Sequence, residues 1–174
     1  MEEKNDLNMM IRKECAEDID AITTLTKLAF ECEEHSSHTE QFIVNALRRS
    51  AQLSVSLVAV ENKRIIGHVA ISPVTVSSGA GGWFGLGPIS VEPDHQGRGI
   101  GSALIKTALA ELQLLGGVGC VVLGDPAYYG RFGFQTRPGL TLAGISPEYF
   151  QALSFGAELP VGIVQYHTAF DAVE

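Results

Sequence analysis

Three glycines at alternate positions, Gly97, Gly99 and Gly101, separate a valine-rich segment from an apolar helix pattern. The segment before them is predicted to be a strand ending at Val91. The segment after them, residues 100–115, repeats apolar residues at spacings of three and four, which is typical of an amphipathic helix. The chain is therefore predicted to pass from strand to helix through a tight turn that only glycine adopts readily.

A second strand follows this helix and fixes the kind of sheet. Gly116-Gly117 ends the helix, and residues 118–123 read as a buried strand, so the unit forms a right-handed parallel crossover. Upstream, the valine- and isoleucine-rich segments 53–60 and 64–76 flank the polar turn 61–63 and predict an antiparallel hairpin. We expect an α/β fold with a mixed sheet. The hairpin strands are antiparallel in this sheet, and the two strands connected by the helix are parallel.

The remaining elements are predicted from the same patterns. They are a strand at 10–13, helices at 19–29 and 39–49, a strand at 82–91, a short helix beginning at Ser146-Pro147, and a final strand at 162–170.

The 174 residues are compatible with one domain, predicted to span residues 9–174 after a polar, disordered lead-in or expression remnant at 1–8. The net charge of -8 argues against sequence-independent binding to nucleic acid, which requires a basic surface. No apolar stretch is long enough to predict a membrane span. Three widely spaced cysteines, without a metal-binding pattern, favour a reducing, cytoplasmic setting and no metal.

The glycine turn is predicted to bind an anion. The first amides of a helix lack internal partners and lie at the positive end of its dipole, so they can hold phosphate oxygens despite the acidic composition. Gln96 and Arg98 can add side-chain contacts, or they can be solvated surface groups. The segment lacks the Gly-Lys-Ser/Thr of a P-loop, and Ser102 replaces the third glycine of a dinucleotide-binding fingerprint.

The pattern Gln96-x-x-Gly99-x-Gly101 resembles the pyrophosphate motif of the GCN5-related N-acetyltransferase (GNAT) superfamily. The resemblance extends from about residue 10 to 170. It is strengthened by Gly87-Pro88, placed before the fourth strand, and by the segment 123–134, Leu-Gly-Asp-Pro-Ala-Tyr-Tyr-Gly-Arg-Phe-Gly-Phe, after the fifth. Both features are similar to those of a bacterial branch of predicted acetyltransferases.

The resemblance implies acetyl-CoA as the cosubstrate and a mostly antiparallel, twisted sheet in which parallel strands four and five splay apart. The pantetheine arm would then lie between these strands. The cofactor-binding residues implied are Ile89, Ser90 and Val91 on the fourth strand, Gln96, Gly97, Arg98, Gly99, Ile100, Gly101 and Ser102 at the turn, and Tyr128.

The family chemistry is direct attack of an amine on the thioester within a ternary complex. Such a reaction needs a donor for the carbonyl oxygen and an acid for the departing thiolate. The resemblance implies a main-chain amide within 89–91 as the donor and Tyr129 as the acid, because Tyr129 stands four residues before Gly133. Tyr128 is the rival candidate, and a packing role is the alternative for either ring.

Several other polar residues have more than one interpretation. Asp125, followed by Pro126, is expected to cap a helix rather than to act in catalysis. Removing a proton from a lysine-like amine at pH 7 costs about 4.6 kcal/mol, yet no base is assigned. The candidates for that base, each also a plausible solvated charge, are Glu33, Glu34, His35 and Glu92.

His68 and His167 can line the pocket, although hydrogen-bonded structural roles are commoner for histidine. The acceptor is an unidentified amine on a small molecule or a protein, and the acidic charge favours a small cationic one. A homodimer is compatible with the resemblance. A non-catalytic acetyl-CoA-binding module is the principal alternative function, and a nucleotide-dependent oxidoreductase is disfavoured by the motif.

Overall fold

The computed structural model describes residues 8–174, so most of the expected lead-in at 1–8 lies outside the described residues. The strands are β1 (Met9–Lys13), β2 (Val55–Glu61), β3 (Arg64–Val76), β4 (Trp83–Val91), β5 (Gly119–Leu123), β6 (Leu140–Leu142), β7 (Phe150–Ser154) and β8 (Gly162–Tyr166). The helices are α1 (Ile19–Phe30), α2 (Glu40–Arg49), α3 (Ile100–Leu114) and the single turn α4 (Pro126–Tyr129).

The main sheet has the order β1-β2-β3-β4-β5-β7. Its neighbours are antiparallel except β4 and β5, which pair in parallel and are joined through α3. The predicted mixed sheet, with one parallel pair connected by a helix, is therefore confirmed. A second parallel pair, between β6 and β8, was not predicted, and β8 also pairs with the far end of β3.

The β2–β3 hairpin forms where the valine-rich segments predict it. Its turn places Asn62 and Lys63 at φ values of 50° and 63°. Positive φ at both central residues is the geometry of a type I′ turn, whose twist matches that of the flanking strands. The turn therefore sets the register that pairs Glu61 with Arg64.

Helices cover both faces of the sheet. On one face, Leu104, Ile105 and Ala108 of α3 pack against the apolar side chains of β2, β3 and β5. On the other face, Ile22 of α1 and Val44 of α2 pack against Val58 of β2. The apolar face of α3 is buried along the helix, which fixes the position of α3 at the end of β4, whereas Leu28 of α1 is 44% exposed.

Glycines end α3 as predicted. Gly116 adopts a φ of 86°, its amide donates to the carbonyl of Gln113, and the amide of Gly117 donates to the carbonyl of Leu112. These two bonds are those of a Schellman motif, which satisfies carbonyls that the last turn would otherwise leave free.

Three details of the prediction are wrong. The final strand ends at Tyr166 rather than at 170, because His167 caps a 3₁₀ helix at Thr168–Asp171 by accepting the amide of Ala169 at 3.0 Å. Gly87-Pro88 lies within β4, not before it. The strands β6 and β7 were missed, because they contain only three and five residues and lack clear alternation.

Candidate active site

The glycine turn connects β4 to α3. After Val91 a 3₁₀ turn at Pro93–His95 reverses the chain, and Gly97 and Gly99 then adopt φ values of 78° and 80°. The left-handed backbone at these two positions strongly favours glycine. Gly99 is the N-cap of α3 and supplies no side chain, so the cap position leaves the amides uncovered.

The first main-chain bond of α3 runs from the amide of Ala103 to the carbonyl of Gly99 at 3.1 Å. By helix geometry, the amides of Ile100, Gly101 and Ser102 have no acceptor within the helix. The three residues line a cavity of about 570 Å³. The helix dipole adds partial positive charge at this end, so the cavity is suited to a phosphate group.

The structure brings together all the predicted cofactor-binding residues except Ser90 and Arg98 around this cavity. Three residues that were not predicted to bind cofactor also line it, namely Glu33, His95 and Arg131. The side-chain amide of Gln96 donates to the carbonyl of Val91 at 3.3 Å, so it bridges the two ends of the turn.

Arg98 pairs with a carboxylate instead of lining the cavity. Its guanidinium donates to Glu61 at 2.8 Å and 3.4 Å, and this contact lowers the pKa of Glu61 and raises that of Arg98. His95 Nε2 lies 3.4 Å from the same carboxylate. Arg98 therefore ties the turn to the end of β2, whereas direct contact with phosphate stays a prediction.

The edge of β4 becomes free beside this cavity. The ladder between β4 and β5 covers Trp83 to Leu86, whereas β4 continues to Val91. Over that last stretch β4 pairs with β3, and the amide of Glu92 donates to the carbonyl of Ile66 in β3. Because strand amides alternate in direction, those of Ile89 and Val91 point away from β3, toward the side on which the ladder to β5 has ended.

Ser90 is buried and does not line the cavity. It is opposite His68 in the β3–β4 register, and both side chains are buried. His68 Nε2 lies 2.8 Å from the Ser56 hydroxyl, and desolvation lowers the pKa of His68 to about 3, with a smaller contribution from the charge of Arg48. His68 is thus a neutral, hydrogen-bonded residue of the interior and does not line the cavity.

The two adjacent tyrosines of α4 have different surroundings. Tyr128 lines the cavity, and its hydroxyl would lie 3.0 Å from a Cβ at Gly101. Tyr129 instead packs edge-on against Phe134 and beside Gly124 at the end of β5. Burial, with a smaller contribution from Tyr128, raises the pKa of Tyr129 to about 12.

Asp125 caps α4, which confirms the structural interpretation of this residue. Its Oδ1 accepts the amide of Ala127 at 2.9 Å, and Pro126 occupies the first helical position. The cap matters to the site because α4 is only four residues long and carries both tyrosines.

The four candidates for the general base do not all lie at the cavity. Glu33 lines the cavity, whereas Glu34 and His35 are exposed in the segment between α1 and α2. Glu92 is largely buried and forms an ion pair with Arg64, and its Oε2 lies 2.7 Å from His95 Nδ1. A carboxylate held in this way is poorly placed to accept a substrate proton.

His95 and Arg131 line the cavity but were not among the residues predicted from the sequence. Arg131 makes the closer connection to the predicted site residues. Its guanidinium lies 4.8 Å from the ring centroid of Tyr128 and donates to the Ser102 hydroxyl at 3.0 Å. The available signal was its position two residues after Tyr129, on the same short segment as the predicted acid.

Between residues 8 and 174, no three histidine, cysteine, aspartate or glutamate side chains are grouped as a metal ion would need. Over the same residues, no helix combines the length and the apolar character needed to cross a membrane.

Comparison with known proteins agrees with this geometry. Residues 19–134 match the model of the acetyltransferase (GNAT) family. The N-acetyltransferase YhbS of Escherichia coli K12 is 37% identical over 128 residues, which is 73% of this chain and 74% of YhbS. A crystal structure of YhbS from Escherichia coli, in complex with CoA, has a TM-score of 0.85 at 31% identity and covers 100% of this chain and 98% of its own.

A GNAT family acetyltransferase from Brucella melitensis, crystallised in complex with acetyl-CoA, is 46% identical. The match has a TM-score of 0.84 and covers 94% of this chain and 98% of the other. The family match spans more than half of the chain, and the fold matches over almost its whole length. The chain described here therefore belongs to the GNAT family of acetyltransferases.

Proposed function

We propose that this protein transfers the acetyl group of acetyl-CoA to a primary amine by direct attack within a ternary complex. The observation that carries the proposal is the cavity at the start of α3, where the uncapped amides of Ile100, Gly101 and Ser102 are available to a diphosphate. The acetyl-CoA and CoA complexes of the two similar structures support the same donor.

The pantetheine arm follows the free edge of β4. Its amide groups can pair with the main chain of Ile89 and Val91 as an added strand would. Both residues line the cavity, and the ladder to β5 has already ended at Leu86. This route leads from the diphosphate into the gap between the two strands, where the thioester would meet the amine.

Main-chain donors on β4 stabilise the negative charge that grows on the carbonyl oxygen. An amide aimed into a gap that excludes water is suited to this role because it needs no reorganisation during the reaction. The unpaired β4 amides within 89–91 are the nearest such donors along the route of the arm.

Tyr129 acts as the general acid that protonates the departing thiolate. Its ring lies against Gly124, which directly follows β5, the strand that pairs with β4. Since burial raises its pKa to about 12, the phenol is fully protonated at neutral pH and retains a proton to donate. Tyr128 belongs to the diphosphate end of the cavity, which favours Tyr129 as the acid.

The acceptor is an amine that enters from the side of the α1–α2 segment. Glu33 lines the cavity, and the chain is acidic overall, so a cationic amine is favoured electrostatically.

The two exposed, unpaired cysteines, Cys15 and Cys32, are compatible with the reducing environment of the cytoplasm.

A thiol-release assay with acetyl-CoA and a panel of primary amines tests this function. We expect CoA release that depends on both the protein and an amine, and a rise in Tm with CoA but not with NAD. An absence of amine-dependent release across the panel, together with an absence of CoA binding, would contradict the proposal.

A further inference from the structure

The ring of Tyr166, at the end of β8, lies against the main chain of β4 at Gly85. A Cβ built at Gly85 would collide with Cε1 of Tyr166 and would lie 3.1 Å from Cδ1 of the same ring. Cε1 is bonded to the carbon that carries the hydroxyl, so the polar end of the phenol reaches Gly85. The ring also packs against Phe170, whose ring centroid is 4.8 Å away. These contacts hold Tyr166 over the fourth strand.

Gly85 directly precedes the point at which β4 and β5 cease to pair. Their ladder ends with Leu86 and Val122, and the edge of β4 that is proposed to receive the pantetheine begins after Leu86. Leu86 packs with the side chains of α3. Because successive strand residues face opposite sides of a sheet, the Tyr166 ring covers the side of β4 that faces away from α3.

Tyr129 lies at the corresponding end of β5. Its ring contacts Gly124, which stands two residues after Val122. Burial raises the pKa of Tyr166 well above its ordinary value, with smaller contributions from Cys120 and Tyr129. Since charge interactions weaken with distance, the contribution from Tyr129 agrees with the proximity of the two phenols. One phenol thus belongs to each strand near the end of the β4–β5 ladder.

Ser72 of β3 provides a second hydroxyl on the same side as Tyr166. It is opposite Gly85 in the β3–β4 register, and opposed residues of an antiparallel pair have their side chains on one face. Ser72 is fully buried, and its Oγ has no hydrogen-bond partner within residues 8–174. Native proteins pair most of their buried polar groups, so an unpaired hydroxyl at this point indicates that a ligand supplies the partner.

We propose that Tyr166 and Ser72 bind the nitrogen of the acceptor amine and orient it for attack on the thioester. The inference rests on the proposed function, because the thioester would lie where the ladder to β5 ends. Each hydroxyl oxygen can accept one N–H of a primary amine, which leaves the nitrogen lone pair free to point at the carbonyl carbon. Tyr129 then protonates the leaving group, whereas Tyr166 contacts the attacking group.

Steady-state kinetics with the amine that gives the fastest CoA release tests this inference. Tyr166→Phe and Ser72→Ala are each expected to raise the KM for the amine by about 10-fold, since each removes one hydrogen bond to the substrate. The KM for acetyl-CoA, and the affinity for CoA measured by calorimetry, should stay within about 2-fold of the wild type. Tyr129→Phe differs from both, because it is expected to lower kcat.

Tyr149→Phe and Thr26→Val are the matched controls. Tyr149→Phe removes a phenol hydroxyl at an exposed position. Thr26→Val removes a hydroxyl that is fully buried, as in Ser72, but already donates to the carbonyl of Ile22 within α1. Neither control is expected to change the KM for the amine by more than about 2-fold.

An unchanged KM for the amine in both Tyr166→Phe and Ser72→Ala would overturn the inference while leaving the proposed function intact. It would also be overturned if the KM for acetyl-CoA rose as much as that for the amine, because the side chains would then act on the cosubstrate or on the fold. If Ser72→Ala failed to fold, Tyr166→Phe, which keeps the ring, would still decide. Failure of the wild type both to bind CoA and to release it with any amine would instead reject the proposed function, together with this inference.

Discussion

The ring of Tyr129 occupies the space beside Gly124 in which any other residue would place its Cβ. A Cβ built at Gly124 would lie well inside van der Waals contact with Cε2 of Tyr129. Gly124 directly follows β5, and Tyr129 ends the helix α4. Because Gly124 has no side chain, it leaves space at the end of β5 for the ring of the proposed acid, Tyr129.

Gly124→Ala is expected to displace the Tyr129 ring and to lower kcat by about 10-fold, with CoA affinity changed by less than 2-fold, because the diphosphate cavity is not involved. Gly130→Ala is the matched control, since a Cβ there would meet no atom within 4 Å. The measurement is steady-state kinetics with calorimetry. Equal effects of the two substitutions would contradict the positioning role of Gly124.

Tyr129→Phe is expected to lower kcat by about 100-fold and to leave CoA affinity unchanged, because only the proton donor is removed. Since the raised pKa of about 12 keeps the phenol protonated, the wild-type kcat should show no alkaline decline from this group below about pH 11. Tyr149→Phe, at an exposed position, serves as the control. Unchanged turnover of Tyr129→Phe would remove the assignment.

Gly101→Ala is expected to weaken CoA binding without destabilising the fold. The position is helical, so alanine is expected to stabilise α3 or leave it unchanged, by up to about 1 kcal/mol. The new methyl group would stand in the diphosphate cavity, 3.0 Å from the Tyr128 hydroxyl, and should weaken CoA binding by about 10-fold. Thermal unfolding and calorimetry measure the two effects, and a variant that bound CoA as tightly as the wild type would contradict the placement of the diphosphate.

Asp18 makes stability depend on pH. Its buried carboxylate accepts from Arg12 at 2.6 Å and 3.0 Å and from the amide of Cys15 at 2.8 Å, and the contact with Arg12 is the main reason that its pKa is held well below its usual range. A carboxyl group with a lowered pKa stabilises the folded state above its unfolded pKa, about 3.9, and loses that contribution as pH falls below it.

Asp18→Asn is therefore expected to lower the free energy of unfolding by about 1–3 kcal/mol at pH 7. The difference from the wild type should shrink as pH falls from about 4 toward 2. Urea unfolding at several pH values measures it, with Asp20→Asn, at an exposed position of α1, as the control. A difference that did not change with pH would mean that the Arg12 contact contributes little.

The central part of the fold could be predicted because local sequence determines it. Alternating glycines, a helical stripe and a valine-rich strand each depend on residues within a few positions of one another. The short strands β6 and β7 could not be predicted, since their conformation comes from pairing with β8 and β5, which are distant in sequence. The final strand was extended beyond Tyr166 for a different reason, because the cap that His167 provides to the following 3₁₀ helix was not recognised.

Site chemistry was harder to predict than backbone geometry. The pairing of Arg98 with Glu61 joins residues 37 positions apart, and nothing in either local segment indicates it. Arg131 likewise joins the site by donating to the Ser102 hydroxyl, 29 positions earlier in the chain, and its place near Tyr129 was the one local signal for it. The N-cap at Asp125 was predictable because cap and helix are adjacent.

A crystal structure of this protein with acetyl-CoA would show whether the start of α3 binds the diphosphate. We expect diphosphate oxygens to accept hydrogen bonds from the amides of Ile100, Gly101 and Ser102, at about 2.7–3.2 Å. The pantetheine would run along Ile89 and Val91. A bound donor whose diphosphate lay elsewhere, with these three amides untouched, would contradict it.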